Sequence, residues 1–308
     1  MSFKTSALRV GALSSAALLA LTACGGDNGD DNGDAVSDED ANVEQGEELT
    51  IEEGETLTVA IAGEEPYSWL DDDGEATGAA LALTEEILGE QLGYDVEAEL
   101  TDWDSLIPGL NSGQWDVVAA GMSITPDRCE QASFSEPEIM YTTAFLVEEG
   151  NPYDVHDFED LAEAQEEHGI EVVTLTAGVE AGYAEEVGVD AEGVGSAEDG
   201  VDFVEGGRAD VFALTAISLE AMAGEMDGLE VTENFAHEVS AGSTVFRFAD
   251  DELLGEYNDV LADLKDSGEL LDIIGEYGFT DEEIPPAELT TEELCEGDIE
   301  ALNEQYLD

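Results

Sequence analysis

The sequence predicts an α/β protein built as two lobes joined by a two-stranded hinge. Three observations carry that prediction. Strand-like and helix-like segments alternate along most of the chain, first over residues 57–121 and again over 170–224. Two extended stretches, "YTTAFLVEE" (141–149) and "AGSTVFRFA" (241–249), flank the second block. After them the chain ends in a helical run, "DELLGEYNDVLADLKDSGELLDIIGEYG". A block entered and left by extended segments reads as an inserted lobe, an arrangement that closes on ligands by bending at the hinge.

Taken in order, "LTVAIA" (57–62) is a strand rich in β-branched and apolar residues, and "ALALTEEILGEQLG" (80–93) repeats its apolar residues at helical spacing. "YDVEAEL" (94–100) alternates as a strand, "SLIPGLNSG" (105–113) is a short helix closed by glycine, and "WDVVAAG" (115–121) is a buried strand. The second block reads the same way: strand "IEVVTL" (170–175), a helix from about 179, helix "AEDGVDFVEGG" (197–207), strand "ADVFAL" (209–214) and helix "TAISLEAMAG". Strands separated by helices of this length predict two parallel sheets. The expected boundaries are residues 56–143 and 244–308 for lobe 1 and 144–243 for lobe 2. No internal repeat of 20 to 50 residues is present.

The chain has 308 residues, 43% of them hydrophobic, with 79 Asp and Glu against six Lys and Arg, a formal charge of −73. That apolar content is enough for one large core or two smaller ones, so the acid is a surface property of a folded protein. Screening shortens to about 3 Å at 1 M salt, and the charge reads as adaptation to a salty exterior. The competing reading, an acidic patch for a basic partner, fits poorly with charges spread over the whole length. Nucleic acid binding is excluded because no basic stripe exists to release counterions.

Lys4 and Arg9 precede "VGALSSAALLALTA", an apolar stretch too short to span a bilayer. Leu21-Thr22-Ala23-Cys24 resembles a bacterial lipobox. The resemblance implies a lipoprotein signal peptide over 1–23, lipidation at Cys24 and a membrane anchor; a plain secretory signal with a chance cysteine is the alternative. Residues 24–55, "CGGDNGDDNGDAVSDEDANVEQGEELTIEEGE", have almost nothing to bury and read as an acidic disordered tether.

"LTVAIAGEEPYSWLDDDGEATG", "DWDSLIPGLNSGQWDVVAAGMSITPDRCEQASFSEP", "GGRADVFAL" and "LKDSGELLDIIGEYGF", in that order over about 57–280, resemble the polar-amino-acid branch of the solute-binding proteins of bacterial ABC importers. Within that branch "SLIPGLNSGQWDVVAAGMSITPDRCEQ", "GNPYDVHDFEDLA" and "ELCEG" are most similar to ectoine and hydroxyectoine binders. The resemblance implies a type II periplasmic-binding-protein-like fold and a receptor, not an enzyme, that hands a small zwitterion to an ABC permease. It also implies a monomer on the extracytoplasmic face of the cell membrane, without metal or cofactor.

The same resemblance assigns the site. In the "G-x-[ST]-x-T-x-x-R" loop, Arg128 would grip a ligand carboxylate with its planar fork, with Gly121, Ser123 and Thr125 adding backbone and hydroxyl donors. The bland reading is that Arg128 pairs with a surface carboxylate. Thr215 falls where amino-acid binders place an Asp for the α-ammonium, so a ligand with a ring amidinium fits better. Glu64, Tyr67 and Trp103 match positions where a carboxylate and aromatic faces meet such a cation. On their own residue types, Tyr67 and Trp103 could equally be core aromatics and Glu64 one more surface acid. Ser123 departs from the ectoine binders, which carry an aromatic there.

With Cys24 given to lipid, Cys129 and Cys295 are left to pair in an oxidising exterior or to sit as two buried thiols. His156, His168 and His237 have no metal-ligand spacing, and neither a phosphate loop nor a G-x-S-x-G turn occurs. An enzyme on the same fold, a dehydratase-like protein gripping a carboxylate substrate through the same arginine, is the competing function.

Overall fold

The structure, a computed structural model, describes residues 54–307. The expected signal peptide, Cys24 and the expected tether as far as residue 53 lie outside the described residues. The chain begins with β1 (Thr56–Ile61), the hairpin β2 (Trp69–Leu70) and β3 (Ala76–Thr77), and α1 (Ala79–Thr84), which runs on as a π-helical stretch, Glu85–Gln91. β4 (Asp95–Leu100), α2 (Leu106–Asn111), β5 (Val117–Ser123), α3 (Pro126–Cys129), β6 (Ser133–Phe134) and β7 (Ile139–Met140) follow. The second half holds β8 (Thr143–Glu148), α4 (Phe158–His168), β9 (Val172–Leu175), α5 (Val179–Val187), β10 (Ala191–Val194) and α6 (Ala197–Glu205). It continues with β11 (Val211–Thr215), α7 (Ala216–Ala223), β12 (Leu229–Val231), β13 (Ala241–Phe246), α8 (Asp251–Ser267), α9 (Glu269–Gly275), α10 (Thr291–Glu296) and α11 (Ile299–Tyr306).

These strands form two main sheets. The first runs β4-β1-β5-β13-β6, with β7 also on β13, and the second runs β10-β9-β11-β8-β12. Both are mixed, which corrects the expectation of parallel sheets. β1 is parallel to β4 and β5, and β9 to β10 and β11, but β13 lies antiparallel to β5 and β8 antiparallel to β11. The reason is connectivity. Strands reached through a helical crossover come back parallel, whereas β8 and β13 enter their sheets from the neighbouring lobe and are free to run the other way.

Two segments link the sheets side by side. One leaves the first sheet at β7 and enters the second at β8; the other returns into β13. They touch through the β7–β13 ladder, Tyr141 N–H donating to the Ser240 carbonyl at 3.0 Å, and a bridge between Thr143 and Phe235.

Apolar burial holds each sheet to its helices. Leu57, Val59, Ile61, Leu81, Ile87, Tyr257, Leu261 and Ile274 form one cluster behind the first sheet. Phe145, Phe158, Leu161, Val172 and Val211 form another on the second. Full burial of one such side chain contributes about 1.5–3 kcal/mol. A third cluster is continuous across the junction, joining Trp103, Ala120 and Met122 to Val173, Leu175 and Leu214.

Four Lys and Arg residues fall among the described residues, and each has specific company. Arg247 pairs with Asp250 at 2.8 Å and Asp116 at 3.5 Å, and Arg208 lies over the Phe203 ring at 3.9 Å. Lys265 is half-buried near Glu138 and Glu136, and Arg128 lies between the sheets. Cys129 and Cys295 form a disulfide with Cα atoms 5.8 Å apart, clasping α10 to α3.

Candidate ligand-binding site between the two sheets

Arg128 owes its position to local capping. Thr125 is the N-cap of α3, its hydroxyl accepting from the Arg128 N–H at 3.4 Å, and Pro126 starts the helix with φ already set. The guanidinium then crosses between sheets: Nη1 donates to the Ser123 carbonyl and Nη2 to the Ala177 carbonyl, each at 2.8 Å. Ala177, in the loop before α5, has φ 62°, a left-handed conformation unusual for alanine. Trp103 covers the arginine, its ring centroid 5.7 Å from the guanidinium carbon.

Glu64 bridges the sheets as well. It sits in the tight turn after β1, where its own carbonyl accepts from the Tyr67 and Ser68 N–H groups. Its carboxylate accepts from Ser218 at 2.7 Å and Thr215 at 3.2 Å, and Thr215 also donates to Ser218 at 2.8 Å. Both hydroxyls belong to the β11–α7 junction. Trp103 adds a third link, its backbone N–H donating to the Gly195 carbonyl at 3.3 Å.

A small cavity of about 20 Å³ lies between these bridges, lined by Glu64, Tyr67, Trp103, Gly121, Ser123, Tyr141, Glu180 and Thr215 among others. That is room for about one water molecule. Gly121 is required here. It has φ 58°, and a Cβ would come within 2.5 Å of the Tyr67 ring. Outside it, a cleft of about 720 Å³ is lined by Arg128, Thr125, Asp104, Tyr183, Glu186 and Glu238, with Trp103, Gly178 and Val179 on the walls of both.

Six of the eight residues singled out from the sequence therefore line the inner cavity, and Arg128 stands at its edge. Thr125 does not join them; it faces the outer cleft and its hydroxyl is engaged in capping Arg128's helix. Tyr67 serves the core as well, packing on Tyr141 and Phe279 at centroid distances of 5.5 and 5.3 Å. Its buried hydroxyl lies near Thr215 without reaching hydrogen-bond geometry.

Sequence reasoning missed Glu180, Tyr141 and Ser218. Glu180 is 3% exposed, stands in the first turn of α5, and accepts from its own backbone N–H. Tyr141, in the linking segment, donates its hydroxyl proton to the Gly121 carbonyl. The usable signal for Glu180 was its place just after "TAG", where a strand gives way to a helix.

Burial sets the electrostatics. Desolvation pushes Glu64 up to about 7, opposed by its two hydroxyl donors. It pushes Glu180 up to about 7 as well; its own N–H lowers it, Glu64 raises it and Arg128 lowers it. Burial draws Arg128 below its usual range, against the pull of Glu180. Among the described residues no group of His, Cys, Asp and Glu is arranged to hold a metal ion, and no helix is long and apolar enough to cross a membrane.

Two mixed α/β lobes with a buried arginine and two buried glutamates between them define the class: a type II periplasmic-binding fold. Residues 57–280 match the bacterial extracellular solute-binding proteins, family 3, and the chain belongs to that family. It is 31% identical over 252 residues to a probable amino-acid ABC transporter periplasmic-binding protein of Sinorhizobium fredii, covering 77% of this chain and 82% of the relative. It is 28% identical over 195 residues to the arginine-binding extracellular protein ArtP of Bacillus subtilis, covering 59% and 71%. Among solved structures it is similar to EhuB in complex with hydroxyectoine, with a TM-score of 0.71, 29% identity, and 78% and 94% of the two chains covered.

Proposed function

We propose that this protein is the extracytoplasmic, lipid-anchored, monomeric receptor of an ABC importer and that it captures a zwitterion of the ectoine or hydroxyectoine type for its permease. The observation that carries the ligand reading is the placement of Glu64. A buried carboxylate from one lobe shares a cavity with the rings of Tyr67, Trp103 and Tyr141, and Arg128, beside Trp103 on the adjoining cleft, is available to take a carboxylate. A diffuse ring cation suits that surrounding, each aromatic face contributing roughly 0.5–2 kcal/mol. Thr215 donates to Glu64 and offers no anion of its own.

Glu180 supports a second reading, a polar amino acid, because it brings a second buried carboxylate that an α-ammonium could use. Calorimetric titration with ectoine, hydroxyectoine, glycine betaine and the common amino acids, at high salt to suit so acidic a chain, separates the two. Ectoine or hydroxyectoine should bind at least a hundredfold more tightly than α-amino acids. Tight binding of a plain amino acid with no heat from ectoine would overturn the ligand reading and leave the receptor reading standing. Ligand recovered unchanged after long incubation is expected, since no conversion is part of this function.

A further inference from the structure

The space between the two sheets carries one more buried ionisable group than a zwitterion needs. Arg128 answers a ligand carboxylate and Glu64 answers a ligand cation, and Glu180 is left over. It is as inaccessible as Glu64, it lines the same cavity, and it comes from the opposite lobe. Glu64 is held by the Ser218 and Thr215 hydroxyls, whereas no side-chain donor reaches the Glu180 carboxylate among the described residues. A buried carboxylate with no donor beyond its own backbone N–H is costly in either of two ways: it holds a proton, or it waits for a cation.

Charge counting makes the alternatives distinct. With both glutamates ionised, Arg128, Glu64 and Glu180 sum to −1. A ligand with one carboxylate and two cationic groups neutralises that site completely. A ligand with one carboxylate and one cationic group neutralises it only if a proton stays on the glutamate pair. The groups around Glu180 are Glu64, Arg128, Tyr67, Tyr141 and Tyr183, with His237 and Glu238 across a small void beside it. Glu64 and Glu180 are the carboxylates of that group that line the inner cavity, so they titrate as a coupled pair.

We propose that Glu180 is the specificity-determining residue for ligand charge: a zwitterion binds with one proton retained on the Glu64–Glu180 pair, and a ligand of net charge +1 binds with that proton released. This rests on the carboxylate-gripping receptor reading above, though not on ectoine in particular. The pair sits near pH 7 because burial raises both members. Acidification therefore favours the zwitterion, and alkaline conditions favour an amino acid with a basic side chain.

The test titrates the intact protein and Glu180→Gln at high salt with ectoine and glutamine, both net neutral, and arginine, net cationic, at pH 6 and pH 8.5. For wild type, the affinity ratio of arginine to the better zwitterion should rise at least tenfold from pH 6 to pH 8.5. In Glu180→Gln, which keeps the size of the protonated acid, that ratio should move less than threefold. Arginine binding at pH 8.5, repeated in two buffers of different ionisation heat, should release more protons from wild type than from the variant. Thermal unfolding without ligand checks that the variant is folded, and Glu180→Asp, which restores an acid, should restore the pH-dependent ratio. A flat ratio in wild type, or an equal shift in Glu180→Gln, overturns the proposal. If glutamine replaces ectoine as the better zwitterion, the ectoine reading falls while the charge rule is still decided by the same ratios. Failure of all three compounds to bind at both pH values overturns both readings.

Discussion

Glu138 and Glu180 are both buried glutamates, 1% and 3% exposed, yet their surroundings differ in kind. Glu138 lies between β6 and β7, where Ser135 and Tyr257 donate hydroxyl protons to it at 2.8 and 2.9 Å. Thr244 donates from its backbone at 3.1 Å and its hydroxyl at 3.3 Å. Glu180 faces a cavity and has its own N–H. Burial raises the proton affinity of both. What separates them is satisfaction: a buried carboxylate supplied with donors by the fold is part of the framework, and one left short at a cavity wall is available to a ligand.

The largest effect should come from breaking the satisfied side of this comparison. Glu138→Ala strands donors on Ser135, Tyr257 and Thr244 and should lower stability by about 3–5 kcal/mol, measured by denaturant unfolding. A loss under about 1 kcal/mol would mean that the network is not a framework element. The pocket side breaks differently. Arg128→Ala should keep the unfolding midpoint within a few degrees while weakening the preferred ligand by roughly thirtyfold to several thousandfold, a loss of about 2–5 kcal/mol. Calorimetry showing affinity within threefold of wild type would place the carboxylate grip elsewhere.

The subtlest test is a gain. Glu64 ionises near 7 in the folded protein against an ordinary 4.5. Its contribution to stability is complete below about 4.5 and is lost as pH rises through 7, because the folded state then surrenders a proton that it holds more tightly than the unfolded chain. Glu64→Gln should therefore stabilise the ligand-free protein at pH 8 by about 1–2 kcal/mol, allowing for the two hydroxyl bonds it weakens. The gain should vanish at pH 4. A destabilised variant at pH 8 would put Glu64 in the same category as Glu138.

The two-lobed α/β architecture was legible because strand and helix periodicities alternate cleanly, and the extended stretches at 141–149 and 241–249 hold β8 and β13, the strands by which the chain enters the second sheet and re-enters the first. Strand direction was not legible, since a period of two is the same for β8 and β13 whichever way they run. β10 was passed over because "AEGV" has a glycine and little apolar content, and its place comes from pairing with β9. In the site, Arg128 stood out by rarity and motif, and Glu64 only through the family resemblance. Glu180 did not stand out for the opposite reason: in a chain with 79 acids, one more carries no information until burial is known. Thr125 illustrates a different limit. A hydroxyl in a binding loop can serve a ligand or a helix N-terminus, and only coordinates show that it is engaged with the Arg128 N–H.

The Cys129–Cys295 bridge joins neighbours of very different age in the growing chain. Cys129 follows Arg128 directly, while its partner lies 166 positions later, in α10. The brace on the arginine's short helix is therefore synthesised well after the helix itself, and it closes only by oxidation. A nascent chain would possess every side chain of the inner cavity long before it possessed that brace. The arginine's helix is thus braced only in the oxidised molecule.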